Sequence, residues 1–200
     1  MPTFLHVGCG RNYKDKTTRG FNSEDWTEIR LDIDNAANPD VLGTMTSMPD
    51  VKSGSVDAVF SSHNIEHLNA HEVPIALKEF LRVLKADGFV VITCPDLQSV
   101  CQQVAEGKLL EPLYETTLGL PVTPLDIIYG FRPDLERGLE HMAHRCGFTV
   151  KVMGELLKGV GFPSLALMRR EKAFDLFAVA SKSVKTESEI RELAGFHFPR

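Results

Sequence analysis

Cysteine is scarce in this chain: four in 200 residues, at positions 9, 94, 101 and 146, with no Cys-x-x-Cys pair and no metal-finger spacing. That excludes a zinc finger or a dithiol redox motif, and a disulfide framework is a poor account of a chain this long. Reduced thiols are the expectation. No apolar run approaches the roughly 20 residues of a membrane-spanning helix, and the first residues enter a strand pattern with no cationic stretch or hydrophobic signal core. A cytoplasmic protein without membrane contact is expected. Basic charge is also in deficit, Lys and Arg numbering 22 against 27 Asp and Glu, which disfavours a binder of nucleic-acid backbones. Internal repeats are absent. With 43% hydrophobic and 24% charged residues, the remaining class is an ordinary folded protein of one domain, residues 1–200.

What the chain does contain is an alternation of short apolar runs and helical stretches. Thr3 to Val7, Glu28 to Ile33, Val56 to Ser61 and Phe89 to Cys94 are brief, β-branched or aromatic, and closed by polar, glycine or proline residues. Such runs suit strands buried on both faces of a parallel sheet. Val73, Ala76, Leu77, Phe80, Leu81 and Leu84 recur at spacings of three and four, predicting a helix over Pro74 to Lys85 with Gly88 as its C-terminal cap. Strands alternating with helices imply right-handed crossovers and a doubly wound, mostly parallel α/β sheet.

The second half is less regular. Leu97 to Glu106 reads as helix. Pro112, Gly119, Pro121, Pro124 and Gly130 then punctuate an apolar stretch, so 97–148 is expected to form a lid-like insertion. Val150 to Lys158 resumes a helix, and Ser164 to Met168 with Phe174 to Ser181 predict a terminal antiparallel hairpin. The polar tail from Lys182 is expected to be mobile as far as Phe196 to Pro199.

Ligands of doubly wound sheets bind beyond the carboxyl ends of the strands, where the strand order reverses. The loops after Val7, after Leu31, around Gly43 to Pro49 and after Ser61 are the candidates. Gly8-Cys9-Gly10 follows the first strand, and Asp32 stands 22 residues past Gly10 at the tip of the second. Glycines let backbone approach a bound cofactor, and a carboxylate at that tip accepts hydrogen bonds from a ribose diol. Tyr13 occupies the place of the third glycine of a nicotinamide fingerprint, and no Gly-Lys-Ser/Thr phosphate loop exists. Arg11 to Asp25 lacks an amphipathic period, so the first crossover helix is expected to be short or missing, and with it a pyrophosphate site at a helix N-terminus.

Phe4-Leu5-His6-Val7-Gly8-Cys9-Gly10, Ile29-Arg30-Leu31-Asp32-Ile33, Thr44 through Met48-Pro49, Ser55 through Leu68, and Glu79 through Gly88 stand in this order over residues 4–95. Together they resemble the motifs of the class I S-adenosylmethionine (SAM)-dependent methyltransferases, in particular the small type 11-like group. The resemblance implies a Rossmann-like sheet and SAM as cofactor. It also implies transfer of a methyl group from a sulfonium to an unidentified small-molecule acceptor by in-line displacement. On it, Gly8, Cys9 and Gly10 cradle the cofactor, Asp32 holds its ribose, Thr44 and Met45 flank the adenine, and Ser62, His63 and Asn64 lie near the methionine end. A sulfonium leaves without protonation, so positioning and desolvation supply much of the rate and no fixed triad is expected. Where the acceptor must lose a proton, His63 and His144 are the candidate bases.

Two other readings stay open. His6, Asn12 and Thr44 depart from the family's usual residues, which fits a relative that binds the cofactor without turnover. His63-Asn64-Ile65-Glu66-His67 matches the His-x-x-Glu-His pattern of a zinc hydrolase. It follows a buried strand rather than lying within a long helix, so no metal is expected and Glu66 and His67 are assigned to holding the loop. His141 is a further candidate substrate contact. Tyr114 and Tyr129 are expected to pack within the insertion, and Arg11, Lys14, Lys16 and Arg19 to form a solvated basic face.

Overall fold

A computed structural model describes residues 1–199 of the chain. Its strands are β1 (Thr3–Val7), β2 (Thr27–Asp32), β3 (Val41–Leu42), β4 (Val56–Ser62), β5 (Leu84–Pro95), β6 (Tyr114–Glu115), β7 (Pro121–Val122), β8 (Ser164–Arg170) and β9 (Asp175–Ser181). The helices are α1 (Val73–Val83), α2 (Leu97–Ala105), α3 (Pro124–Tyr129), α4 (Arg132–Glu136), α5 (Val150–Val160) and α6 (Glu187–His197). Seven strands form one sheet in the order β3-β2-β1-β4-β5-β9-β8. Neighbours from β3 to β5 run parallel, while β9 is antiparallel to both β5 and β8. This is the Rossmann-like, mostly parallel sheet with a terminal antiparallel hairpin. No helix among the described residues is long and apolar enough to cross a membrane.

The two-residue period of the strands sorts their side chains into two cores. Leu5, Val7, Val59, Val90, Ile92, Leu176 and Ala178 face one side, where Leu77 and Phe80 of α1 and Met153 and Leu157 of α5 cover them. Phe4, Ala58, Phe60, Phe89, Val91 and Val179 face the other side, covered by Phe21, Trp26, and Ile190 and Ala194 of α6. On that second face a crossover helix between β1 and β2 would ordinarily lie. Only a 3-10 turn, Lys14–Lys16, forms there, and α6 with Phe21 takes its place.

Three expectations are corrected. The tail beyond Lys182 is not mobile: Thr186 and Glu189 make a reciprocal capping box, and Ile190, Leu193, Ala194 and His197 present one face to the sheet. Gly88 is not a helix cap. Helix α1 ends at Val83, β5 begins at once, and a Cβ at Gly88 would stand 3.0 Å from the Asp57 carbonyl where the β4/β5 register slips. The insertion is also more structured than its breakers suggested, with α2, a β6–β7 hairpin, α3 and α4 around Val100, Val122 and Ile127. Buried Asp96 ties its base, accepting from the N–H groups of Gln98 and Ser99 and from Arg169 Nε at 2.5 Å.

Candidate functional site

At the strand-order reversal, β1 leads to β2 on one side and has β4 on the other, opening a cleft beyond their carboxyl ends. The turn after β1 is bound to β2, because the N–H groups of Gly8 and Cys9 both donate to the Leu31 carbonyl, at 2.9 and 3.3 Å. Gly8 and Gly10 lie in the left-handed region, with φ of 67° and 51°. Their missing side chains serve different ends. A Cβ at Gly8 would fall 2.3 Å from Asn64, whose Nδ2 donates to the Val7 carbonyl and to Ser61 Oγ. At Gly10 no described atom lies within 4 Å of the Cβ position, so that backbone borders open space.

Asp32, buried at the tip of β2, accepts the Gly10 N–H on Oδ2 at 2.7 Å and the Asp34 N–H on Oδ1 at 2.9 Å. Its role in the loop is therefore structural as well as available for a ligand: each carboxylate oxygen keeps a second acceptor site. Arg30 completes the support. Only 5% exposed, it donates to the carbonyls of Gly10, Asn12, Ala37 and Asn38, and its guanidinium stacks 4.2 Å from the Tyr13 ring centre. Sequence reasoning assigned Arg30 no role. The available signal was a charged residue inside the apolar run of β2, which a strand buried on both faces tolerates only when its donors are all used.

The cleft encloses about 640 Å³. Gly8, Cys9, Gly10, Asp32, Thr44, Met45, Ser62 and His63 all line it, so one cavity brings together the whole set of expected cofactor contacts. Burial raises the Cys9 thiol to about 11, leaving it neutral and unsuited to nucleophilic chemistry. The far wall is formed by His67, Glu72, His141, Met142 and Arg145, the last three carried by the end of the insertion. His63, its side chain 53% exposed, projects from a positive-φ turn after β4.

His144 is not brought to this cleft. It lines a separate cavity of about 240 Å³ with Glu66, Ile127 and Tyr129, its Nδ1 2.6 Å from the Ile127 carbonyl, and burial lowers its pKa. The pentapeptide His63 to His67 does not form a helical zinc pair either, since only Ile65–His67 is helical, as a single 3-10 turn.

A Rossmann-like sheet with a glycine turn, a strand-tip carboxylate and a terminal antiparallel hairpin is the arrangement that the resemblance to methyltransferases implies. Residues 5–92 match the family model of a methyltransferase domain. No curated protein matches the chain. Similar solved structures include a SAM-dependent methyltransferase, possible histamine N-methyltransferase, from Thermotoga maritima, at 15% identity, TM-score 0.54, covering 92% of this chain and 83% of that one. A SAM-dependent methyltransferase from Methanosarcina mazei shares 15% identity at TM-score 0.58, covering 92% and 93%. The Burkholderia thailandensis 1,6-didemethyltoxoflavin-N1-methyltransferase, with bound 1,6-didemethyltoxoflavin and S-adenosylhomocysteine, shares 15% at TM-score 0.55, covering 92% and 72%. Over residues 5–92 the chain thus matches a methyltransferase domain, and it shares the fold of these SAM-dependent methyltransferases.

Proposed function

We propose that this chain is an active methyltransferase that moves the methyl group of SAM to a small-molecule acceptor. The observation that carries this reading is the single cleft of about 640 Å³, a volume typical of small-ligand pockets, which joins the glycine turn and Asp32 to a wall of histidines and Arg145. The residues fit the cofactor. Gly10 borders open space that a Cβ would fill, Asp32 keeps acceptor sites for a diol, and Met45 offers apolar surface for a base. On this reading Gly8, Cys9 and Gly10 form the cradle, Asp32 takes the ribose, Thr44 and Met45 flank the adenine, and Ser62 and His63 lie at the methionine end.

SAM supplies an electrophilic methyl group on a sulfonium. The chain's contribution is to hold the acceptor in line with that group, to exclude water, and to receive a proton where the nucleophile carries one. His63 is an imidazole lining the cleft next to Ser62, and on this reading Arg145 with His141 gives the acceptor end its polar character. His144, outside this cleft, has no place in the transfer.

Calorimetric titration of S-adenosylhomocysteine into the purified protein tests the site, with Asp32→Ala as control. Transfer of labelled methyl from SAM into a metabolite extract then tests turnover. Saturable binding weakened by the substitution, together with a labelled product, supports the reading. Binding without any labelled product would reduce the chain to a cofactor-binding relative, and no binding by the folded protein would remove the site.

A further inference from the structure

Behind the cleft wall the fold buries the Glu66 carboxylate, whose Oε1 lies 3.6 Å from His63 Nδ1. Glu66 is 1% exposed, and neither of its carboxylate oxygens has a hydrogen-bond partner among the described residues. A charged group so placed is costly unless a cation or a donor meets it. Besides His63, two further imidazoles stand beside it: one ligand-capable atom from each of Glu66, His67 and His144 lies within 4.8 Å of the others. The two rings meet edge to face, their centres 5.0 Å apart.

Both rings are also oriented by the backbone. His67 Nδ1 lies 3.2 Å from the Ala143 carbonyl and His144 Nδ1 2.6 Å from the Ile127 carbonyl. A carbonyl can only accept, so each Nδ1 carries a proton, which leaves Nε2 as the atom of each ring open to a metal. This is the outer-sphere arrangement that fixes the tautomer of metal-binding histidines. Two imidazoles and one carboxylate make an N2O donor set suited to zinc. The cavity of about 240 Å³ lined by Glu66 and His144 leaves room for water or a small ligand at a fourth position.

We propose that Glu66, His67 and His144 form a zinc site in the wall of the cofactor cleft, reached from that side through His67, that fastens the end of the insertion to the turn after β4. The two segments already meet there, since the N–H groups of Arg145 and Cys146 both donate to the Glu66 carbonyl, at 2.8 and 3.2 Å. Because Arg145 and His141 line the cleft, an ion at this point sets the position of its acceptor wall. The ligand set differs from the one the His-x-x-Glu-His pattern suggested: Glu66 is a ligand rather than a base, and His63 is outside the set. Ligand atoms of tetrahedral zinc stand about 3.4 Å apart at bond lengths near 2.1 Å, so occupancy draws the three side chains together by rotamer adjustment.

The experiment strips the full chain with a chelator, titrates Zn2+ by calorimetry with elemental analysis, and repeats the titration with Co2+ followed by visible absorption. Stoichiometric binding with four-coordinate Co2+ bands is expected. Glu66→Gln and His144→Ala should each weaken Zn2+ about 100-fold or more. Should a variant fail to fold, ring-nitrogen NMR of the wild type decides, because Zn2+ must shift Nε2 of His67 and His144 while their Nδ1 atoms stay protonated. The proposal is overturned by absence of stoichiometric Zn2+ on the folded wild type, or by weak binding indifferent to Glu66→Gln and His144→Ala. S-adenosylhomocysteine affinity measured on the same stripped sample reports the cofactor site separately.

Discussion

The hydroxyl of Thr18 lies 2.7 Å from Nδ1 of His197, joining the helix-poor connection between β1 and β2 to the last helix of the chain. The imidazole centre lies 4.4 Å from that of Phe21 and 5.2 Å from that of Phe89, tilted by 50° and 52°, so it belongs to the aromatic core of the second sheet face. A Cβ on Gly20 would stand 2.6 Å from the same ring, which explains the glycine there by close approach. Burial, with the Arg19 charge adding to it, lowers the His197 pKa to about 4.

A depressed histidine pKa gives stability a defined pH dependence. Between about 4 and the ordinary 6.5 the unfolded chain binds a proton that the folded chain refuses, so stability is complete above 6.5 and is lost as pH falls toward 4. A shift of this size corresponds to about 3 kcal/mol. Urea melts at a series of pH values should show the decline, and His197→Phe should flatten it. An unchanged slope in that variant would assign the acid sensitivity to other groups.

Gly8 and Asn64 provide a second test. Gly8→Ala imposes both a positive φ on alanine and a Cβ 2.3 Å from Asn64, and a loss of about 2–3 kcal/mol is expected, with weaker S-adenosylhomocysteine binding. Adding Asn64→Ala removes the collision but not the φ strain, so the double variant should recover part of the loss relative to the sum of the two single changes. Strict additivity would show that the collision is relieved by movement elsewhere.

Arg30 holds four carbonyl oxygens of the glycine turn and of the segment after β2. Arg30→Met leaves those acceptors without donors and should cost about 3 kcal/mol or more. Arg30→Lys should not restore it, because a compact ammonium cannot span sites that a planar fork reaches. Thermal melts with and without S-adenosylhomocysteine would check both. Wild-type stability in the lysine variant would mean that charge rather than geometry is what matters.

The difference between Arg30 and Asp32 shows where the sequence was legible. Apolar runs and their polar closures located all the longer strands, and the spacing of Gly10 and Asp32 located the cleft, because both follow from periodicities of two residues and from loop chemistry. Partners distant along the chain were not legible. Arg30 finds its carbonyls only after the turn and β2 are side by side, and His67 meets His144 only once the insertion has folded back. Helix α6 was missed for a different reason: its sparse apolar face, Ile190, Leu193, Ala194 and His197, lies among charged residues, although Thr186 and Glu189 carried its capping signal. The tail gains its order from the bare sheet face left by the absent crossover helix.

Asp32 offers the most direct check on the cleft, since its carboxylate has two separable tasks. It accepts the N–H groups of Gly10 and Asp34 within the chain, and on the proposed reading it also accepts the ribose diol. Asp32→Ala removes both and should lower thermal stability as well as S-adenosylhomocysteine affinity, the latter by about 10- to 100-fold at 1.4 kcal/mol per tenfold. Asp32→Asn keeps one acceptor oxygen for the turn but presents an amide donor on the other side. It should therefore retain more stability than the alanine variant while binding the cofactor product almost as poorly. Calorimetry paired with amide exchange at Gly10 and Asp34 separates the two effects: exchange should rise more in the alanine variant than in the asparagine variant. Equal affinity in wild type and Asp32→Asn would restrict Asp32 to shaping the turn and move ribose recognition to another residue of the cleft.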